Sequence, residues 1–403
     1  MFSRVRRQAL KILMIEPNGK GGICHYAYQL CNSLSVVGVD VILYTSRNYE
    51  LDNYEKGFKV RKTLKVYKPG KLNPVSKLCR RLETIFLWLR LSLAFLLARP
   101  ACLHFQWLSS AKREPIFLRW LKFLGLKIVY TAHDVLPHEG DDAQATPAMF
   151  QNIYNIVDGI IVHSQSDREE LLRLFRVDSS KVFVIPHGTY DMFAKGSAIE
   201  FRQARREIGL SEDYAQRLIL FFGAIKKYKG LPYLIRAFKE VKENVGNVKL
   251  AIVGGVRAEE GEDLAFYTEL IRSLNLEADT LFVPDYVPVA TVPYYFASAD
   301  VVVLPYLKTY QSGPVQIAYA FGKPVVVTDT GGLPEVVEDG KSGFIVPPKD
   351  SHKLAQAIVD ILSDGKRLAE MGSYAKRLSE TKYSWESIAR QTLSLYEKLQ
   401  SKD

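Results

Sequence analysis

Short apolar runs alternate with segments of helical periodicity along nearly the whole chain. The runs are rich in Val, Ile, Leu and Phe, which is typical of strands buried on both faces of a parallel sheet. The predicted strands are 11–15, 39–44, 101–105, 127–131, 159–163, 182–185, 217–222, 248–253, 280–283, 301–305, 324–328 and 343–346. Helical spacing of apolar residues is found between them, for example at 26–37, 167–175, 231–244 and 351–362. This alternation predicts an α/β protein with parallel sheets.

The alternation is interrupted at about residues 188–210, where the sequence is polar and of mixed charge. Because 403 residues are too many for one ordinary hydrophobic core, we place a domain boundary there. Two doubly wound domains, 1–190 and 191–380, are therefore expected to face each other across a cleft.

The basic residues are concentrated in the first third of the chain. An apolar fraction of 47% and a charged fraction of 24% are those of a soluble globular protein, and the net charge is +10. Residues 1–130 hold 23 Lys and Arg against 7 Asp and Glu, whereas the remainder holds 31 against 37. The first domain is therefore expected to face something anionic. Nucleic acid is one such partner, but no recognised nucleic-acid motif accompanies the charge.

The N-terminal residues and the cysteines indicate the cellular compartment in which the protein is expected. Three arginines precede an apolar run, as in a signal peptide, but Lys11 and Glu16 interrupt the run and no small-residue cleavage site follows. We therefore interpret this run as the first strand. Without CxxC or metal-ligand spacing, the cysteines are expected to be buried thiols in a reducing cytoplasm. They are Cys24, Cys31, Cys79 and Cys102.

Residues 85–98 raise the question of a membrane. The segment is shorter than the roughly 20 residues that a spanning helix needs, and Arg90 lies in its middle. With Lys77, Arg80 and Arg81 before it, the segment suits an amphipathic helix lying in a bilayer surface. A helix packed in the core of the first domain accounts for the same pattern, so both interpretations stay open.

The segment 306–335 combines two glycine turns with a short helix and a strand. Ser312-Gly313-Pro314 has the chemistry of a helix start: a capping hydroxyl, a small residue and a proline. Such a start presents backbone N–H groups and the positive end of the helix dipole, which suits a phosphate. Gly322-Lys323-Pro324 ends the helix. The Gly331-Gly332 turn follows the next strand and lets a ligand approach the backbone closely.

Candidate groups in the first domain also follow predicted strands. The loop Asn18-Gly19-Lys20-Gly21-Gly22 suits a phosphate or a sugar, but a plain tight turn explains it equally well, and it is neither GxGxxG nor GxxxxGK[ST]. His133 follows the strand 127–131, where an imidazole can donate to a diphosphate or a sugar hydroxyl. A structural histidine bonded to a loop carbonyl is the alternative. His163 and His187 suit packing or turn roles.

The second domain begins with a strand that runs into Gly223 and then presents Lys226, Lys227 and Lys229 before Gly230. Cations at that rim suit the two negative charges of a leaving diphosphate. Solvated surface lysines are the alternative, and the position at a strand end favours binding.

Several kinds of chemistry lack their motifs. The sequence has no Asp-x-Asp pair for a divalent metal that carries a sugar diphosphate. It has no HExxH, GxSxG or CxxC either, which argues against zinc proteases, serine hydrolases and thiol redox enzymes.

Taken in order along the chain, these residues resemble the retaining family 4 glycosyltransferases of GT-B fold. The resemblance extends over nearly the whole sequence, and its strength lies in six motifs in one order. The motifs are Gly21-Gly22, His133, Ile185-Pro186-His187-Gly188, Phe222-Gly223 through Lys229-Gly230, 299–305, and Gly322-Lys323-Pro324 with Gly331-Gly332-Leu333-Pro334-Glu335.

The resemblance implies a division of labour. Residues 191–380 would bind a nucleotide sugar, residues 1–190 the acceptor, and 381–403 would form a helix that packs back toward the first domain. Catalytic roles would fall to His133 at the sugar and Lys229 at the diphosphate. Lys226 would stand in for the family's arginine, whose position is Ala224. The other implied donor contacts are Gly21, Gly22, Gly223, Gln311, Ser312, Gly313, Gly331, Gly332 and Glu335.

The chain departs from the family at its pair of glutamates. Counting back from Gly322, the two positions are Thr309 and Ile317, and neither is acidic. Gln311-Ser312-Gly313 would replace the first acidic contact with an amide, a hydroxyl and backbone donors. Recognition of the ribose must then differ in detail.

The implied function is transfer of a hexosyl unit, with retention of configuration, to a lipid-linked or polysaccharide acceptor in bacterial cell-surface polysaccharide synthesis. A UDP-sugar is favoured over a GDP-sugar as donor, and no metal or cofactor is expected. The departing phosphate would help to deprotonate the acceptor. A cytoplasmic protein is expected, with peripheral contact to an anionic membrane through the basic first domain. The alternatives are a non-catalytic GT-B partner subunit and a nucleotide-sugar epimerase, which needs carboxylates for acid and base chemistry.

Overall fold

A seven-stranded parallel sheet forms the centre of the N-terminal half, in the order β3-β2-β1-β4-β5-β6-β7. Four of its strands, β1, β4, β5 and β6, are almost entirely buried, as expected of a sheet covered by helices on both faces. The strands are β1 (Lys11–Glu16), β2 (Asp40–Ser46), β3 (Lys59–Leu64), β4 (Cys102–Phe105), β5 (Ile128–Thr131), β6 (Gly159–Val162) and β7 (Val182–Val184). The helices are α1 (Gly22–Val36), α2 (Pro74–Ala98), α3 (Glu114–Phe123), α4 (Pro147–Ile156) and α5 (Gln165–Leu174).

A second parallel sheet, of six strands, follows in the order β10-β9-β8-β11-β12-β13. Its strands are β8 (Arg217–Phe222), β9 (Val248–Val253), β10 (Thr280–Val283), β11 (Val301–Leu304), β12 (Val325–Thr328) and β13 (Gly343–Val346). The remaining helices are α6 (Phe201–Glu207), α7 (Leu231–Val245), α8 (Leu264–Ser273), α9 (Val292–Ser298), α10 (Gly313–Ala320), α11 (Leu333–Val336), α12 (Ser351–Leu362), α13 (Gly365–Glu380) and α14 (Trp385–Gln400).

These coordinates are a computed structural model that describes residues 10–64, 74–108, 110, 112–137, 146–194, 199–257 and 261–401, and only the backbone of 74–81. The chain forms two compact units. The first comprises Met1–Val162, Arg168–Ile185 and Trp385–Asp403, and the second comprises His163–Asp167 and Pro186–Ser384. Helix α14 belongs to the first unit, where its Trp385 makes an edge contact with Tyr26 of α1 at 5.2 Å between ring centroids.

The predicted fold class is confirmed, since both sheets are parallel and each strand order reverses about its first strand. All twelve predicted strands form, with ends within two residues of the predicted ones. Strand β3 was not predicted, because this edge strand buries only one of its six residues and its sequence, KVRKTL, is polar.

The polar interval 188–210 contains a helix that was not predicted, α6. Its Arg205 is fully buried, yet its guanidinium donates to the carbonyl oxygens of Ser211, Asp213 and Gln216. The same guanidinium lies 3.7 Å from a carboxylate oxygen of Asp300. A charged side chain can therefore be part of the core here, which a hydrophobic pattern cannot indicate.

Cys24, Cys31 and Cys102 are buried free thiols, as predicted, and Cys79 lies outside the described side chains. Burial raises the pKa of the Cys31 thiol well above its usual value. In the part of the chain that the structure describes, no helix is both long and apolar enough to cross a membrane.

A buried histidine cluster lies in the second unit. The rings of His163 and His187 are 5.3 Å apart, and that of Tyr190 is 5.3 Å from His187. His187 Nδ1 donates to the carbonyl oxygen of Gly188 at 2.7 Å. Burial, and secondarily the neighbouring His163, lowers the pKa of His187 to about 3. The two histidines therefore pack against each other, and His187 also has the turn role through its bond to Gly188.

This low pKa predicts a pH-dependent stability. The folded protein keeps His187 neutral, so below about pH 6.5 the unfolded chain binds one more proton. Above that pH, His187 causes no change of the free energy of unfolding with pH. Below it, this residue alone should lower the free energy of unfolding by about 1.4 kcal/mol per pH unit, until the pH reaches the pKa of the folded state. Urea unfolding between pH 7 and pH 5 measures this slope. Most carboxylates titrate below that pH range and therefore do not contribute to it.

His187→Phe should flatten this slope. His352→Phe is the matched control, because the His352 side chain is 65% exposed and should leave the slope unchanged. Parallel slopes for the wild type and His187→Phe would contradict the prediction.

Candidate functional site

Glycines interlock the loops at the carboxyl edge of the second sheet. A Cβ added to Gly254, after β9, would lie 2.1 Å from the carbonyl oxygen of Gly223, after β8. A Cβ on Gly230 would lie 2.1 Å from Pro305 O, after β11. Both glycines also have positive φ, 145° and 64°. Only glycine fits such backbone-to-backbone contacts, so loops that follow neighbouring strands are held together at this edge.

Lys229 lies within this interlocked edge. Its Nζ donates to the hydroxyl of Tyr306 at 3.4 Å and lies 5.0 Å from the centre of that ring. A Cβ on Gly223, whose φ is 111°, would come within 3.2 Å of this Nζ and 3.7 Å of Pro314 Cγ. The ammonium, the turn after β8 and the first turn of α10 therefore meet at one place.

Helix α10 begins where the sequence predicts, with Ser312 as the residue before its first turn and Pro314 within it. The role predicted for the Ser312 hydroxyl is wrong, because it makes no cap hydrogen bond. Ser312 is only 6% exposed, and its Oγ has no hydrogen-bond partner among the described residues. A buried hydroxyl of this kind at a helix start is suited to donate to a bound anion.

Lys226 and Lys229 contact different aromatic rings. Lys226 Nζ lies 5.6 Å from the centre of the Tyr228 ring, whereas Lys229 lies against Tyr306. Ala224, at the position of the family's arginine, is exposed. The structure thus brings Lys229 to Gly223 and Pro314, and the shifted replacement by Lys226 remains a prediction.

The Gly331-Gly332 turn follows β12, as predicted, but the close approach there comes from the protein itself. A Cβ on Gly331 would lie 1.7 Å from the carbonyl oxygen of Thr309. One on Gly332 would lie 2.6 Å from Gln311 Nε2 and 3.0 Å from Ser164 Oγ. Gly331 is therefore required by the 309–311 loop, and no bound ligand is needed to explain it.

Gln311 and Glu335 both reach the segment that precedes α5. Gln311 Nε2 donates to Asp167 Oδ2 at 3.1 Å. The Glu335 carboxylate accepts from the backbone N–H groups of Gln165 and Ser166, at 2.8 and 2.7 Å. Each of these two predicted donor contacts thus already has a partner within the protein.

Asp167 was not identified from the sequence as part of this site. Its backbone N–H donates to Ser164 Oγ at 3.0 Å, which is half of a capping box. The spacing Ser164-x-x-Asp167 directly after a strand is the signal that could have identified this helix start.

The two positions at which the resemblance implies glutamates are buried. Thr309 is 4% exposed, and its hydroxyl donates to the carbonyl oxygen of Gln311 at 2.9 Å. Ile317, on α10, is 5% exposed. The threonine thus shapes the 309–311 loop, and the isoleucine belongs to the apolar body of α10.

In the first unit, carboxylates already hold the glycine loop after β1. Glu16 accepts from the backbone N–H groups of Asn18 and Gly19, at 2.9 and 2.7 Å. Glu50 accepts from the N–H of Gly21 and pairs with His25 Nε2 at 2.7 Å. Burial raises the pKa of Glu16. Two acidic side chains beside the loop disfavour a phosphate at Gly21 and Gly22, so the sugar is the better suited of the two predicted ligands.

His133 follows β5, as predicted, and is 8% exposed. Its Nε2 lies 3.1 Å from Gln106 Oε1, and its ring stands edge-on to Tyr26 at 4.8 Å. Gln106 Nε2 in turn lies 3.1 Å from His104 Nε2. The amide side chain of Gln106 is thus a partner of His133.

His104 connects this chain of hydrogen bonds to the last helix. Its Nδ1 lies 2.6 Å from the Tyr396 hydroxyl of α14, and its Nε2 lies 2.7 Å from Thr131 Oγ1. His104 and Gln106 are fully buried. The C-terminal helix thus supports the residues that orient the His133 ring.

Family models match both halves of the chain. The model for "Glycosyltransferase Family 4" matches residues 20–190, and the model for "Glycosyl transferases group 1" matches residues 202–378.

Two curated relatives share about a third of the aligned residues. The "Uncharacterized glycosyltransferase MJ1607" of Methanocaldococcus jannaschii is 33% identical over 261 residues, 64% of this chain and 64% of the relative. A D-inositol 3-phosphate glycosyltransferase of Corynebacterium jeikeium is 31% identical over 253 residues, 62% of this chain and 59% of the relative. The chain thus spans less than two thirds of the length of these relatives.

Among solved structures, Anabaena HepE in complex with UDP and glucose has the same fold. It superposes with a TM-score of 0.72 over 96% of this chain and 100% of that chain, at 20% identity. At that identity the likeness concerns the fold.

The hydrogen bond from α14 to His104 gives the next prediction. Tyr396→Phe removes one buried hydroxyl from the His104–Gln106–His133 chain and should lower the free energy of unfolding by about 1–2 kcal/mol. Tyr214→Phe is the matched control, because Tyr214 is 60% exposed. Chemical denaturation measures both variants, and equal stability of the two would refute the support assigned to Tyr396.

Proposed function

The chain belongs to the family 4 glycosyltransferases, and from this membership we propose that it transfers a hexosyl unit from a nucleotide sugar, with retention of configuration. The second unit binds the donor, and the first binds a lipid-linked or polysaccharide acceptor. Cell-surface polysaccharide synthesis is the process that consumes such a product.

The observation that carries this proposal is the meeting of Lys229, Gly223 and the start of α10. A donor diphosphate there gains an ammonium, the positive end of a helix dipole and the Ser312 hydroxyl. Gly223 leaves the space that a side chain would fill beside Lys229 Nζ. These groups neutralise the charge that develops as the diphosphate departs, so no divalent metal is required.

The reaction then depends on positioning and charge stabilisation. The bond from the anomeric carbon to the diphosphate oxygen breaks, and a bond from that carbon to the acceptor oxygen forms on the same face. The acceptor proton passes to the departing phosphate. His133, held by Gln106, contacts the sugar and fixes its orientation.

A UDP-sugar is the donor that we propose, ahead of a GDP-sugar. Anabaena HepE, which has the same fold, was solved with UDP and glucose. With threonine and isoleucine at positions 309 and 317, the ribose is bound by other groups, and Gln311 and the backbone beside it are the nearest polar candidates.

We also propose that helices α2 and α3 bind an anionic membrane surface. Ten of the fifteen large hydrophobic side chains that are exposed in the described part of the chain lie on these two helices. Phe86, Leu93 and Leu97 are exposed on α2 by 68, 59 and 75%, and Phe123 on α3 by 81%. The opposite side of α2 packs into the core, where Phe95 is 1% exposed. One face of α2 thus packs in the core, as one interpretation of residues 85–98 predicts, and the opposite face is the one that we propose lies in the bilayer surface.

The two helices form one surface, and its charge suits anionic lipid. Trp88 of α2 stacks on Phe117 of α3 at 4.9 Å, and Trp120 Nε1 donates to Ser92 Oγ at 3.1 Å. Residues 82–126 hold six Lys and Arg against two Asp and Glu. Lys122 is paired with Asp158 at 2.6 Å, and a guanidinium nitrogen of Arg119 donates to Asn152 Oδ1 at 3.3 Å. The side chains of Arg90, Arg99 and Lys112 are exposed and suit anionic lipid. An apolar face with tryptophan and surrounding cations is the pattern of a protein that lies in a bilayer surface.

Lys229→Ala should lower turnover by roughly 10²–10³-fold without unfolding the protein, because the ammonium stabilises the departing diphosphate. Lys227→Ala, in the same turn but exposed, is the matched control and should keep turnover. The assay supplies a panel of UDP- and GDP-sugars with membrane-derived acceptor and measures released nucleoside diphosphate. Equal turnover of Lys229→Ala and Lys227→Ala would contradict the role of Lys229 at the departing diphosphate. No release from any donor would favour the non-catalytic partner subunit.

Membrane binding is tested by flotation with vesicles that contain anionic lipid. The wild type should float, and Leu89→Asp combined with Leu93→Asp should stay at the bottom, since both leucines are exposed on the apolar face. Leu264→Asp, an exposed leucine of the second unit, should float like the wild type. A wild type that does not float would contradict the membrane-binding role.

A further inference from the structure

A cavity of about 240 Å³ lies in the first unit. Ile15 of β1 and Phe105 of β4 line it, together with Pro17 and Trp107 from the loops that follow these strands. Strands β1 and β4 are neighbours at which the strand order reverses. Crevices at the carboxyl ends of strands at such a switch point are where open α/β sheets bind ligands.

The wall opposite the sheet is the inward side of α2. Leu87, Trp88, Leu91 and Phe95 line the cavity, and Phe117 of α3 closes it. One helix therefore presents its inner side to this cavity and its outer side to the surface proposed to bind the membrane.

The lining favours a hydrocarbon chain over a sugar. Ten of its sixteen lining residues are aliphatic or are Phe and Trp, and the other six carry a polar side chain: Asn18, Tyr44, Thr84, Ser110, Arg113 and Glu114. Saccharide hydroxyl groups would lack partners along the part of the lining formed by α2, Ile15 and Phe105. An apolar cavity of about 150 Å³ already binds a benzene ring, so a cavity of this size accepts a short stretch of chain.

We propose that this cavity binds the hydrocarbon chain of an amphiphilic acceptor, with the polar head near Asn18 and Arg113. The inference rests on the proposed transfer to a lipid-linked acceptor and names the part of that acceptor which the first unit binds. Asn18 belongs to the glycine loop after β1, so the head lies beside the candidate sugar-contacting residues of the same unit.

The first experiment measures whether the protein binds a hydrocarbon chain in solution, without membrane or donor. The probe is 11-(dansylamino)undecanoic acid, whose fluorescence rises on entering an apolar site. The wild type should bind it saturably, and Leu87→Trp, which fills the cavity, should weaken binding at least tenfold. Leu87→Phe should give an intermediate loss, and it replaces Leu87→Trp if that variant misfolds.

Leu89→Trp is the matched control, because it makes the same substitution two positions along α2 on the exposed face. It should bind the probe within twofold of the wild type. Equal binding by Leu87→Trp and Leu89→Trp, or no saturable binding by the wild type, would overturn the inference.

A second experiment tests whether the hydrocarbon chain in the cavity belongs to the acceptor or to a bilayer lipid. If the chain belongs to the acceptor, Leu87→Trp should raise the KM for an octyl glycoside acceptor at least tenfold and leave the KM for the chainless saccharide unchanged. Equal effects on both acceptors would exclude an acceptor chain. If a bilayer lipid occupies the cavity instead, vesicle flotation should fall and neither KM should change, and that result would refute the assignment.

The inference and the proposed function fail in distinguishable ways. If the protein binds the probe but releases no nucleoside diphosphate from any donor, the hydrocarbon site is supported and the transferase activity is contradicted. If it releases nucleoside diphosphate but does not bind the probe, the activity is supported and the cavity is not a site for a hydrocarbon chain.

Discussion

The site of the second unit depends on backbone atoms that pack directly against one another at the carboxyl edge of its sheet. Gly254 lies against Gly223, Gly230 against Pro305, and Gly331 against Thr309. A side chain at Gly230, Gly254 or Gly331 would overlap a carbonyl oxygen, so glycine at these positions lets the loops after β8, β9, β11 and β12 pack this closely. Lys229 and the start of α10 receive their positions from that arrangement.

In the function that we propose, this constraint positions the groups for the diphosphate although neither Thr309 nor Ile317 is acidic. Threonine at position 309 holds the 309–311 loop through a hydroxyl-to-carbonyl bond, and isoleucine at 317 fills the body of α10. The glycine contacts and the ammonium beside Gly223 depend on neither of these side chains. We therefore expect the ribose contacts to differ from those of the family, with the proposed diphosphate groups in place.

The sequence predicts the parallel sheets, the turns and the start of α10 because each has a strong local signal. Apolar β-branched runs mark the strands, and Ser312, Gly313 and Pro314 mark the helix. Polar elements were missed: β3 buries only one of its six residues, and α6 buries an arginine whose partners lie 6 to 11 residues away. Partners distant in sequence were also beyond prediction. Glu335 accepts from N–H groups 169 and 170 residues away, and Tyr396 reaches His104 across 292. A local pattern carries no information about such pairings.

The central claim is that the diphosphate of the donor binds between Lys229 and the start of α10. A crystal structure with an intact UDP-hexose tests it most directly. Phosphate oxygens are expected at about 3 Å from Lys229 Nζ, from Ser312 Oγ and from a first-turn N–H of α10. A diphosphate bound elsewhere, with the Ser312 hydroxyl still without a partner and Lys229 still on Tyr306, would contradict it.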